Sequence, residues 1–133
     1  MNTGRIIFVG IHNKQGKTPL DSSTMTGKVI DRIIAGLQVE CIKTNLCEVE
    51  NFPKDFADIN EKAIAWHSKY EPTKADVVVT LGLWVKKHFW YDDLCVVSLT
   101  HPAGIYGTKN KDEYVLMAVK KINKILSNNI TTL

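Results

Sequence analysis

A chain of 133 residues, 44% hydrophobic and 23% charged, has room for one folded core and too little for two. No apolar run approaches the ~20 residues of a membrane span, so no membrane partner is expected. The net charge of +3 permits a nucleic-acid partner without demanding one, because the lysines are dispersed along the chain rather than clustered.

The first residues, Met1 to Arg5, lead into a strand without the apolar core of a signal peptide, so the expected location is cytoplasmic. Cys41, Cys47 and Cys95 are odd in number and widely spaced, which fits neither a disulfide framework nor a CxxC metal pattern. Cys41 and Cys95 are expected to be small buried hydrophobes.

Arg5 to Gly10 is a β-branched and aromatic run that reads as a central parallel strand buried on both faces. A polar loop, Ile11 to Asp21, is expected next. It is long for a βα connection, which usually takes ~2–6 residues. Ser22, Ser23 and Thr24 offer helix N-caps, and Val29, Ile30, Ile33, Ile34 and Leu37 repeat at helical spacing, with Gly36 near the helix end. Val39 to Leu46 mixes its alternation, as an edge strand does. Pro53 suits the first turn of a second helix, whose face is Phe56, Ile59, Ala63, Trp66 and Tyr70 and which Pro72 ends. Ala75 to Leu81 is a third strand closed by Gly82. Leu83 to Tyr91 reads as a short helix and Leu94 to Leu99 as a fourth strand. Val115, Ala118, Val119, Ile122 and Leu126 mark a last helix, with Ser127 to Leu133 as a frayed tail.

Strands and helices therefore alternate, which predicts an α/β fold: a three-layer α/β/α domain spanning residues 1–133, with a four-stranded parallel sheet and right-handed crossovers. In such a sheet every strand C-terminus opens on one edge, where ligands bind. The loops there begin at Gly10, Asn45, Gly82 and Thr100. They carry His12, Asn13, Asn45 and His101. Asn45 offers amide donors and a carbonyl acceptor, enough to read an edge such as the imide face of uracil. His101 can donate to an oxygen that gains negative charge. Pro102 biases it toward extended backbone, with Gly104, Ile105, Tyr106 and Gly107 following. Each residue also has a plainer role, since Asn45 can stabilise a turn and His12 and Asn13 can be solvated. Trp66, Trp84 and Trp90 read as core or sheet cover, Asp92-Asp93 as a turn, and Lys86-Lys87 and Lys120-Lys121 as solvated faces. Gly10 to Gly16 matches neither a phosphate loop nor a dinucleotide fingerprint.

The order of motifs resembles the uracil-DNA glycosylase superfamily over nearly the whole chain. Val9-Gly10-Ile11-His12-Asn13-Lys14, Thr18-Pro19-Leu20 and Ser23-Thr24-Met25-Thr26-Gly27-Lys28 are similar to that family's glycine-led water loop, its G-x-P-[FL] element and its helix start. Lys43-Thr44-Asn45-Leu46-Cys47 is similar to its T-N strand end, Thr80-Leu81-Gly82 to its LG turn, and His101-Pro102-Ala103-Gly104-Ile105 to its HPS-type loop.

The resemblance implies a base glycosylase of DNA repair that acts on single- or double-stranded DNA, as a monomer, with no metal and no cofactor. Asn45 would read a flipped base, with Gly10, Ile11 and Leu20 lining the base site. His101 would stabilise the anion as the glycosidic bond breaks. Ile105, with Tyr106, would enter the helix stack. The chain departs from the family's pattern in several places. His12 stands where the family has Asp, Asn or Glu, with Asn13 one place later and no proline after it. Leu20 stands where many members have phenylalanine, Ala103 where serine is common, and the iron–sulfur cysteines of some branches are missing. His12 in the water-positioning slot would act as a base or orient water near neutral pH, whereas Asn13 there would only orient it. Two further readings stand beside the glycosylase. One is a binding module of the same fold that holds a base or DNA without hydrolysing it. The other is an unrelated small-molecule enzyme, for which Glu48 and Glu50 are the nearby carboxylates.

Overall fold

The computed structural model describes residues 4–12, 20, 22–47, 56–82, 85, 94–105 and 107–131, with backbone alone at 11, 12, 47, 56–59, 103 and 128–131. The elements are β1 (Ile6–His12), α1 (Met25–Ala35), β2 (Cys41–Cys47), α2 (Phe56–Tyr70), β3 (Val77–Leu81), β4 (Cys95–Leu99), a 3-10 turn (Pro102–Gly104) and α3 (Thr108–Thr131). The strands form one parallel sheet in the order β2-β1-β3-β4. None of the described helices is long and apolar enough to cross a membrane.

The expected three-layer α/β architecture is present. One face of the sheet, through Ile6, Phe8, Val77, Val79, Val97 and Leu99, packs on α1 (Val29, Ile30, Ile33) and α3 (Val115, Ala118, Ile122). The other face, through Ile7, Val9 and Val78, packs on α2 (Ala63, Trp66) and on Val85. β1 and β3 are buried on both faces, as their unbroken apolar runs require. β2 is an edge strand.

Local chemistry sets the boundaries. Thr24 is extended and its side chain accepts from the Gly27 N–H at 3.0 Å, capping α1. α2 stops at Tyr70 because Glu71 precedes a proline, which disfavours helical backbone there. Glu71 instead takes φ +46° and its N–H donates to the His67 carbonyl.

Four expectations need correction. β1 runs on to His12, because its ladder with β2 continues past Gly10 to the His12–Cys47 pair, so Ile11 and His12 are strand residues rather than loop. β2, β3 and β4 each begin one or two residues later than the pattern suggested. α3 begins at Thr108 and runs through Thr131; with no glycine or proline to stop it, helix propagation carries it through the expected tail. Cys41 and Cys95 are half-buried at the margin of the core, not enclosed in it. The helix expected over 83–91, apart from Val85, lies outside the described residues, as do Pro53 and the Asp92-Asp93 turn.

At the N-terminal ends of the strands, Asp76 ties β1 to β3. It accepts from the Arg5 backbone N–H (2.9 Å), the Arg5 guanidinium (3.1 Å) and the Thr73 N–H (2.9 Å). The same guanidinium donates to the Tyr70 carbonyl. Burial pushes the Asp76 carboxyl up, but the bonds from Arg5 and Thr73 outweigh it and hold the group below its ordinary range. A carboxyl depressed on folding stabilises fully above its unfolded value of ~3.9 and loses that contribution as pH falls through the folded value. Asp76→Asn is therefore expected to cost roughly 2–3 kcal/mol at neutral pH and to flatten the acid limb of stability. Urea unfolding of both proteins between neutral and strongly acid pH checks this; two parallel curves would reject it.

Candidate active site

The sheet parts at its C-terminal edge. β1 pairs with β3 only from Ile6–Val77 to Val9–Thr80, while its ladder with β2 continues through Gly10–Asn45 to His12–Cys47. β3 stays joined to β4 through Leu81–Leu99. The parting thus falls between β1 and β3. There the strand order reverses, and open parallel sheets form their ligand crevice at such a point.

Asn45 stands on the β2 side. It is 5% exposed and sits opposite Gly10 in register. A Cβ at Gly10 would lie 2.4 Å from Asn45 Oδ1 and 3.3 Å from Leu20 Cδ2. The carboxamide therefore lies over the end of the neighbouring central strand, with Leu20 beside it. On the opposite sheet face, the Thr44 hydroxyl donates to the Phe8 carbonyl (2.7 Å) and accepts from Trp66 Nε1 (2.8 Å), which fixes β2 against β1 one residue before Asn45.

Leu20 is buried and takes a left-handed backbone, φ +51°. Lys43 holds it there: its Nζ donates to the Leu20 carbonyl (3.0 Å) and to Ser22 Oγ (3.1 Å), and it pairs with Asp31 of α1. Burial pushes the Asp31 carboxyl up, but Lys43 and Ser22 outweigh that and hold it low. Lys43 and Asn45 share a face of β2 by strand alternation, so one strand supplies both the carboxamide and the anchor of the Leu20 side chain next to it.

His101 stands on the other side, just past β4, and is half-buried. Gly82 takes φ +95°, and a Cβ there would lie 3.5 Å from His101 Cβ and 3.9 Å from Cδ2. The imidazole lies over the end of β3, one strand inward from its own. The Gly82 N–H donates to the Leu99 carbonyl at 2.9 Å, and the 3-10 turn after His101 is closed by Gly104 N–H to His101 O and Ile105 N–H to Pro102 O. Tyr114 of α3 donates from its hydroxyl to the Thr100 carbonyl at 2.6 Å.

Asn45 and His101 thus lean from the two edge strands over the two central ones, on either side of the parting between β1 and β3. The edge holds amide donors, an amide acceptor and an imidazole, a set suited to a planar ring with alternating donors and acceptors. Of the residues expected here, Gly10, Leu20 and Asn45 are brought together, and His101 joins the same edge. Ile11 and His12 end β1, with only their backbone described. Ile105 is half-buried and packs against the α1 and α3 side of the core. Asn13 and Tyr106 lie outside the described residues, as do Glu48 and Glu50. Among the described residues no three His, Cys, Asp or Glu side chains are grouped so as to hold a metal ion.

Sequence reasoning missed Lys43 and Tyr114 as site-supporting groups. Tyr114 is legible as a core position, four residues before Ala118 on the α3 stripe, but its hydroxyl's long-range partner is not. Lys43 carries no local signal beyond its place two residues before Asn45. No protein-family model matches this sequence, and no curated protein is similar enough to it to count as a match.

Proposed function

We propose that the chain is a DNA glycosylase that hydrolyses the N-glycosidic bond of uracil, or of a related modified pyrimidine, flipped out of DNA. The observation that carries this reading is the pair Asn45 and His101, leaning inward on either side of the parting between β1 and β3. The order of motifs along the chain supports it.

A base within the helix stack cannot present its sugar bond to an enzyme, so the nucleotide must first swing out. Asn45 then reads the ring's donor–acceptor edge, and the Leu20 side chain bounds it. As the C1′–N1 bond breaks, its electron pair passes to the base and negative charge grows on the base's carbonyl oxygen O2. His101 donates a hydrogen bond to that oxygen, a fixed donor where charge develops. Water adds to C1′ and its proton leaves to His12 or to solvent, with Asn13 the alternative orienting group. Lys28, Lys109 and Lys111 lie in the first turns of α1 and α3, which start at this same edge, and supply charge for backbone phosphates.

The test is a gel assay on labelled oligonucleotides carrying uracil, single-stranded or opposite G or A, with alkaline cleavage of abasic sites. Cleavage establishes the glycosylase. A panel of modified pyrimidines with parallel binding measurements follows if uracil is refused, and binding without cleavage of any member would favour the non-catalytic module. Asn45→Asp exchanges a donor for an acceptor and is expected to shift base preference from uracil toward cytosine. Unchanged preference removes Asn45 from the base site.

A further inference from the structure

We infer that Tyr114 is a positioning residue for His101, holding the imidazole over the end of β3 by fixing the carbonyl of the residue before it. This rests on the reading of His101 as the group that meets the base anion. The two bonds inside the turn, Gly104 N–H to His101 O and Ile105 N–H to Pro102 O, fix its shape but not its placement on the sheet. Among the described residues, two long-range bonds hold the chain just ahead of it: Gly82 N–H to Leu99 O at 2.9 Å, and Tyr114 OH to Thr100 O at 2.6 Å, with Lys121 Nζ to Ser98 O further back on β4. The first ties the last strand residue to β3. The second acts one residue nearer to His101 and comes from a different layer.

Tyr114 is suited to that task. The residue is 4% exposed, and its helix is anchored by Val115, Ala118 and Ile122 in the core. The hydroxyl is therefore held at a set height above the sheet. Burial also pushes the phenol up, which favours the protonated, donating form. Thr100 itself is exposed. Without the hydroxyl its carbonyl would turn to water, and the residue before His101 would lose its tie to α3, leaving Lys121 Nζ on the Ser98 carbonyl as the next tie back along β4.

Tyr114→Phe keeps the ring and removes only the donor. It is expected to lower kcat for excision about tenfold, consistent with the sensitivity of catalysis to small misplacements, while KM changes less than about twofold, since Asn45 and the phosphate contacts are untouched. The second readout needs no substrate: the His101 ring resonances in an NMR spectrum of the free protein, identified by their loss in His101→Asn. In Tyr114→Phe they are expected to shift and narrow toward those of a mobile histidine, while His67 on α2 stays put. Unmoved His101 resonances overturn the inference whatever the rate. Should wild type excise no base, the glycosylase reading fails, and the ring resonances alone still decide whether Tyr114 positions His101.

Discussion

Replacing His101 with alanine is expected to reduce base excision by ~10²–10³-fold, the usual loss on removing one preorganised donor from a developing anion. DNA affinity should stay near wild type, because the phosphate contacts proposed for Lys28, Lys109 and Lys111 do not involve the imidazole. Stability should fall little. The half-buried His101 ring lies on Gly82, and its removal opens space toward the crevice rather than a hole in the core. The mutation thus separates chemistry from binding. Single-turnover excision under saturating enzyme reads the chemical step directly, and a salt titration of binding reads the phosphate contacts. Excision within twofold of wild type excludes His101 as the anion-stabilising group. A parallel loss of affinity would instead make it part of the DNA grip. His101→Gln, which keeps a donor on a side chain of different reach, should recover part of the rate.

The architecture was legible because each element obeys its own rule. The β1 and β3 runs are apolar without alternation, as strands buried on both faces must be, and the mixed pattern of β2 marks an edge. The α1 stripe and its Thr24 cap lie where helical spacing requires. Boundaries failed where pairing overrode local chemistry. Gly10 looks like a strand terminator, yet β1 continues to His12 because β2 offers partners as far as Cys47. The candidate site was legible in its kinds of residue, since polar groups lie at or just past the ends of β1, β2 and β4. Its geometry was not. The splitting of the sheet depends on where one ladder stops and its neighbour continues, and no single segment carries that. The roles of Lys43 and Tyr114 depend on carbonyls 23 and 14 residues away in sequence. A lysine on an edge strand and a tyrosine on a helix stripe look the same whether or not such a partner exists.

Gly10→Ala is expected to damage the site more than the fold, and the reason can be isolated. The added methyl would sit 2.4 Å from Asn45 Oδ1, closer than a real Cβ contact allows, and 3.3 Å from Leu20 Cδ2. One of the groups must move. Both contacts are with side-chain ends, and the approach to Asn45 Oδ1 is much the closer, so Asn45 is the group that yields. Overpacking of this sort costs typically ~1–3 kcal/mol, and displacing the carboxamide proposed to read the base should cost more than tenfold in excision. A double-mutant cycle decides whether Asn45 carries the effect. In an Asn45→Ala background the methyl meets only Leu20, at a separation a small shift relieves, so Gly10→Ala should then be nearly neutral. The coupling free energy, read from urea unfolding of the four proteins, should exceed ~1 kcal/mol, as expected for residues in contact. Additive costs would show that the methyl strains the β1 backbone itself and that Gly10 is required by the strand. Strong coupling would show instead that glycine is there to make room for the carboxamide.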